Sequence, residues 1–407
     1  MKESIARLIA CFLTLTLASQ LHAEAKGAPA DVMTGLDVLK RDHFAPLKGK
    51  NIAVVTNHTA RDREGNHIID LLVKAEGVKI VALFSPEHGL YGTLDEKVGH
   101  GLDEKTGLKV WSLYGQTRRP TAEMLKGVDT IVFDIQDVGA RFYTYSATMG
   151  ICMEEAAKNK LAMFVLDRPN PITGLNVDGP TADEKHLGFT AFRRIPVAHG
   201  MTFGELAQLF NKEFGGINCD LHVVQMENWK RSMWWDETGL TWVNPSPNMR
   251  NLTQATLYPG VCLVEATNLS VGRGTDQPFE VIGAPWVDGR ALSAAMNGSN
   301  LPGVRTYPIE FTPAKGSKLG TQKCSGIFFL ITDRNAFQAV RTGVTLAHHL
   351  HKIHGDKFTV DKVVNLLQNQ EAADAIKSGQ DPAKIAEMWK DDVEQFKAMR
   401  EKHLIYE

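Results

Sequence analysis

The sequence is poor in the residues that mark metal fingers and disulfide scaffolds. Only five cysteines occur in 407 residues, and Cys11, Cys152, Cys219, Cys262 and Cys324 lie too far apart for a zinc-finger pattern. No HExxH pair is present, and no glycine-rich stretch ends in Gly-Lys-Ser/Thr, which excludes a Walker phosphate loop. A GxGxxG turn is also missing after the first predicted strand, so neither a dinucleotide nor any other cofactor is expected. Charge of either sign is not in excess: 45 Lys and Arg stand against 47 Asp and Glu, a formal net of −2. That balance gives no broad attraction to nucleic acid or to an anionic membrane. The apolar run Leu8–Ser19 is too short to span a bilayer, so no stable membrane insertion is expected.

What that run does suit is export. Lys2 and Arg7 give a positive start, and Ala23 is small enough to precede a cleavage point. Residues 1–23 therefore read as a signal peptide that delivers the protein to the periplasm or the outside. Leu8-Ile9-Ala10-Cys11 looks like a lipoprotein box but falls before a hydrophobic region could be completed. Export permits disulfides among the remaining four cysteines, although buried free thiols suit a chain of this size equally well.

Along the chain, residues 50–224 alternate short apolar runs with helical patterns, within a first domain expected over residues 30–225. Strands are expected at Asn51–Thr56, Val78–Phe84, Val110–Leu113, Thr130–Ile135 and Ala162–Leu166. Helices are expected at Ile68–Ala75, Thr121–Leu125, Tyr145–Lys160 and Thr202–Phe214, with Thr202 and Glu205 forming a capping box. Such alternation indicates a mostly parallel sheet covered by helices, an α/β fold. After residue 225 the pattern changes. Trp229, Trp234, Trp235 and Trp242 crowd together, and Pro- and Gly-rich loops run to Pro313. A strand at Gly326–Thr332 and helices at Ala336–His351, Val360–Leu367 and 383–403 complete a smaller α+β domain, residues 226–407.

Polar residues collect where the parallel strands end, and in open α/β sheets those ends share one ligand-binding edge. The first offers Asn57, His58 and Thr59. The second is Pro-Glu-His-Gly, a turn that builds no core and presents the carboxylate of Glu87 beside the imidazole of His88. The third carries Asp134, Asp137, Arg141, Tyr143 and Tyr145, with Asp137 favoured over Asp134 as a functional carboxylate. The fourth holds Arg168 and Asn170 on a Pro-stiffened loop. Each has a structural alternative: a capping Glu87, a backbone-bonded Asp134, an Arg141 paired with Asp137, packed tyrosines. The second half adds Asn244–Arg250, with Asn248 and Arg250, and the loop Glu265–Thr275, with Glu265, Asn268 and Arg273. A metal held by His58, His88, Asp134, Asp137 and His199 is the rival account, but none of these is spaced as a ligand pair. His348, His349, His351 and His354 read as a solvated helix face.

Seven of these blocks resemble one family. GLDVL, FSPEHGLYG, FDIQDVGARFYTY, DRPNP, HGMTFGELA, WVNPSPNM and EATNLSVGRGT follow one another from about residue 35, as in the exo-β-N-acetylmuramidases. The resemblance implies a Rossmann-like domain beside a smaller α/β domain, with the active site in the cleft between them. It implies a glycoside hydrolase that removes terminal N-acetylmuramic acid from the non-reducing end of peptidoglycan fragments. The favoured catalytic carboxylate of the family falls on Glu87, as general acid. Asp137 or Glu265, with Tyr143, would supply the second function, by orienting the substrate's acetamide or by activating water. The substrate's lactyl carboxylate calls for an arginine: Arg273 or Arg141 first, then Arg168 and Arg250. The other classes to be separated are a non-catalytic periplasmic glycan-binding protein and a metal-dependent hydrolase.

Overall fold

Short β-branched runs build the larger sheet. In the computed structural model, which describes residues 31–92 and 99–407, seven strands lie in one sheet. They are β1 (Asn51–Thr56), β2 (Lys79–Ser85), β3 (Gly101–Leu102), β4 (Lys109–Ser112), β5 (Thr130–Asp134), β6 (Ala162–Leu166) and β7 (Asp220–Val224). Their order is β3-β4-β2-β1-β5-β6-β7, and only β3 pairs antiparallel. Counted along the chain, the six parallel strands take the order 3-2-1-4-5-6, the doubly wound Rossmann arrangement. The order reverses between β1 and β5, so a crevice is expected beyond the carboxyl ends of the central strands. The predicted export signal at residues 1–23 lies outside the described residues.

Register explains why β1 reads as an unbroken apolar run. Val54 sits between Leu83 of β2 and Val132 of β5, while its neighbour Val55 lies between Phe84 and Phe133. Both faces are covered, so alternation is lost. Ile52, Val54, Leu83 and Val132 face a core completed by Leu36 and Leu39 of helix Gly35–Arg41 and Ile68 and Leu72 of helix Ile68–Leu72. Val55, Phe84, Ile131 and Phe133 face the other core, with Met149 and Cys152 of helix Tyr145–Asn159 and Leu206 and Phe210 of helix Phe203–Lys212. The expected capping box of the latter is present, from Thr202 to Glu205 and back. All four described cysteines are buried free thiols.

The second half packs onto that same core, which continues through Leu257, Phe279, Ile327, Phe329, Val344 and Leu350. Its small antiparallel sheet has the order β8-β10-β9, with β8 at Val281–Ala284, β9 at Val304–Phe311 and β10 at Cys324–Ile331. The tail then returns to the first sheet: Tyr406 Oη donates to Asp167 Oδ2 at 2.6 Å, just past β6.

Several sequence expectations are corrected. Thr121–Leu125 is a turn, not a helix, and residues 383–403 hold two helices, Pro382–Glu387 and Lys390–Arg400. The stretch read as loops to Pro313 contains helices Leu252–Val261 and Gly289–Gly298 as well as β8 and β9. Helix Leu252–Val261 escaped notice because it is buried nearly all round and ends in Pro259-Gly260, so it shows neither an amphipathic stripe nor an uninterrupted pattern. His348 is buried, and His349 Nε2 lies 2.7 Å from Ser299 Oγ, so that helix face is not solvated.

Gly260 lets helix Leu252–Val261 touch helix Ala339–His354 backbone to backbone. A Cβ at Gly343 would lie 2.2 Å from Gly260 O, and one at Gly260 would lie 1.9 Å from Ala339 O. Gly343→Ala should therefore cost at least about 1–3 kcal/mol through overpacking. Urea unfolding checks it; an unchanged midpoint would show that the helices can part without cost.

Candidate active site

The turn after β2 is closed by Gly89 N–H donating to Pro86 O at 3.1 Å. It holds His88 at φ 68° and Gly89 at φ 76°. A left-handed histidine is strained, and such strain collects at functional sites. Glu87 is thereby half-buried at the sheet's carboxyl edge. Thr144 Oγ1 donates to its Oε2 at 2.5 Å. Thr144 precedes helix Tyr145–Asn159 but does not cap it, because its hydroxyl is committed to Glu87.

Tyr145 ties this arrangement together. Its buried hydroxyl accepts from Asn57 Nδ2 at 3.2 Å and donates to Pro245 O at 2.8 Å. Asn57 Oδ1 in turn accepts from Thr59 N at 3.0 Å and from Thr59 Oγ1 at 2.6 Å. Burial pushes the phenols of Tyr143 and Tyr145 well above their ordinary pKa, so both remain protonated donors.

Glu87, His88, Tyr143 and Thr144 line a cavity of about 410 Å³ together with Glu265 and Arg273 from the second half. Arg273 Nε forms an ion pair with Glu265 Oε1. Cys262 Sγ donates to Glu265 Oε2 at 3.0 Å, and burial keeps that thiol protonated. Lys318 Nζ braces the loop, donating to Thr267 O at 2.7 Å. Phe142, Tyr258 and Phe279 supply apolar wall.

The other sequence candidates do not line this cavity, and most are committed elsewhere. Asp137 is buried; its Oδ2 accepts from Gly139 N at 3.1 Å and lies 3.2 Å from His199 Nε2. Asn57 serves Tyr145 and Thr59, as above. His58 Nε2 lies 2.6 Å from Asn244 O, and burial lowers its pKa, so a neutral ring donates there. Arg141 is fully buried and donates to Pro180 O, Ile195 O, Leu366 O, Leu367 O and Gln368 Oε1, all neutral acceptors. It does not pair with Asp137. Arg168 grips Asp134 through two bonds, at 2.5 and 3.0 Å. Asn170 joins Met201 O and Ile172 N. Asn248 is buried beside the wall residues Ser246 and Met249. Arg250 pairs with Asp276 at 3.2 Å, and Asn268 bonds Lys357 O and Thr359. The four crowded tryptophans do not line this cavity: Trp229 packs on Tyr406, and Trp235 packs edge-on against Trp242. Among the described residues no three His, Cys, Asp or Glu side chains converge to hold a metal.

Tyr114, Arg118, Phe189, Thr190 and Leu366 line the cavity without having been singled out. Tyr114 and Arg118 follow β4, so the strand-end argument applied to that shorter strand would have found them.

Glu87, at the carboxyl edge of a doubly wound sheet, and Glu265, from the second half, line one polar cavity, and a pair of carboxylates is what an enzyme of the glycoside hydrolase class uses. Residues 52–253 match the family model for the N-terminal part of exo-beta-N-acetylmuramidase NamZ, and residues 256–406 match that for its C-terminal part. The chain belongs to that family. It is similar to the peptidoglycan beta-N-acetylmuramidase NamZ of Bacillus subtilis strain 168, with 42% identity over 403 residues and 97% of each chain covered. Two crystal structures of DUF1343 family proteins from Bacteroides fragilis NCTC 9343 share the fold. One has a TM-score of 0.86 at 34% identity, covering 93% of this chain and all of the other; the second has 0.76 at 32%, covering 93% and 99%.

The setting of Arg141 makes a clear prediction. A lysine cannot reach five acceptors, and buried carbonyls left unpaired cost about 1–3 kcal/mol each. Arg141→Lys should lower the denaturation midpoint markedly; wild-type stability would show that the guanidinium is not what joins the 366–368 segment to the first half.

Proposed function

We propose that the chain is an exo-acting β-N-acetylmuramidase that releases terminal N-acetylmuramic acid from the non-reducing end of peptidoglycan fragments, with Glu87 as general acid. The observation that carries this reading is the Thr144–Glu87 hydrogen bond on the cavity wall. With Oε2 engaged by Thr144, Oε1 is the oxygen left to present a proton to the glycosidic oxygen. The cavity's 410 Å³ falls in the range of small-ligand pockets, about 300–1,000 Å³, which suits a chain end better than a long glycan strand.

The second carboxylate role goes to Glu265, because Asp137 is held behind the wall by His199. Arg273 and Cys262 keep Glu265 oriented, which suits it to hold the substrate acetamide or to stabilise an oxocarbenium-like centre. The substrate-assisted route, in which the acetamide oxygen attacks the anomeric carbon, is preferred over direct attack by water. Export through residues 1–23 would bring the enzyme to periplasmic or extracellular cell-wall fragments.

Glu87→Gln should keep the fold and lower kcat on a natural disaccharide by at least about 10²-fold, the scale of general acid catalysis. An aryl leaving group, which needs less protonation, should recover part of the loss. Near-normal turnover of the disaccharide would remove Glu87 from this role.

A further inference from the structure

We propose that Arg118 is the residue that reads the lactyl carboxylate of the terminal muramic acid; this rests on the function proposed above. The four arginines that the sequence singled out are poorly placed for it. Arg141 is enclosed by carbonyls, Arg168 is spent on Asp134, Arg250 pairs with Asp276, and Arg273, although on the cavity wall, is paired with Glu265. Arg118 lines the same cavity as Glu87 and is exposed. Among the described residues no carboxylate pairs with it.

Its surroundings hold it ready for an anion. The guanidinium carbon sits 4.1 Å from the centroid of the Phe189 ring and 5.9 Å from that of Tyr114. The cation thus rests against the Phe189 ring, and its N–H groups, which bond no described residue, are left for a bidentate bond to a carboxylate. The loop is anchored by the residue that follows. Thr117 Oγ1 accepts from Arg119 N at 3.0 Å, and Arg119 bonds Glu154 at 2.8 Å and Glu155 at 3.0 Å. Both glutamates belong to helix Tyr145–Asn159, whose preceding residue Thr144 holds Glu87. One helix thus fixes both the acid and the anion-binding loop. N-acetylglucosamine lacks the lactyl group and would gain nothing from Arg118, so this contact would set the choice between the two sugars.

The test pairs a protein change with a substrate change. Aryl β-N-acetylmuramide is compared with the same compound carrying its lactyl carboxyl as a methyl amide, on unaltered enzyme and on Arg118→Gln. Either change alone should lower kcat/KM by about 10- to 100-fold, the scale of a charge-assisted hydrogen bond. Both together should lower it no further than one. Independent, multiplying losses would overturn the assignment, as would an Arg118→Gln enzyme that handles the acid like wild type. If unaltered enzyme released no phenol from the muramide at all, the proposed function would fall first, which keeps the two failures distinct.

Discussion

The Tyr145 hydroxyl is the contact on which the rest of the site depends. It joins the end of β1 through Asn57 to the Pro245 loop of the chain's later part, and it does so where both are buried. Its neighbours in sequence line the cavity: Thr144 holds the Glu87 carboxyl and Tyr143 forms wall. A buried hydroxyl that both accepts and donates fixes three segments at once, and leaving either partner unmade carries the full desolvation cost. The helix that follows carries this geometry outward, to Glu154 and Glu155 and so to the Arg118 loop.

The same economy of charge explains why most polar residues at the sheet edge are not at the cavity. Chain bends after β1, β5 and β6 expose backbone groups that need partners, and a buried ion without one is costly. Arg168 with Asp134, Arg231 with Glu205, and Arg141 in its cage of carbonyls answer that need. Cavity size is no better guide. A cleft of about 780 Å³ lies elsewhere, lined by Trp234, Arg334 and Trp389, but its half-buried carboxylate Asp178 is occupied by Trp389 Nε1.

How much of this was legible in the sequence follows from the same physics. The parallel sheet could be read because its buried strands are short unbroken apolar runs, and the SPEHG turn stood out because it packs nothing. Glu87, His88, Tyr143, Glu265 and Arg273, singled out from such loops, line one cavity. Asp137 and Arg141 could not be judged, because their partners His199 and Leu366–Gln368 lie 62 or more residues away in sequence and share no pattern with them. Helix Leu252–Val261 was hidden by burial on nearly every side, and Arg118 by a strand too short to draw attention to the loop behind it.

The central claim is that chemistry occurs at Glu87, in the cavity shared with Glu265. A crystal structure of Glu87→Gln with an intact disaccharide ending in N-acetylmuramic acid tests it most directly. The glycosidic oxygen should lie within hydrogen-bond distance of the position-87 side chain, with the terminal ring bounded by Tyr143 and Glu265. A disaccharide ordered in the larger cleft beside Trp234 and Trp389, or seated with its glycosidic oxygen beyond reach of position 87, would contradict it.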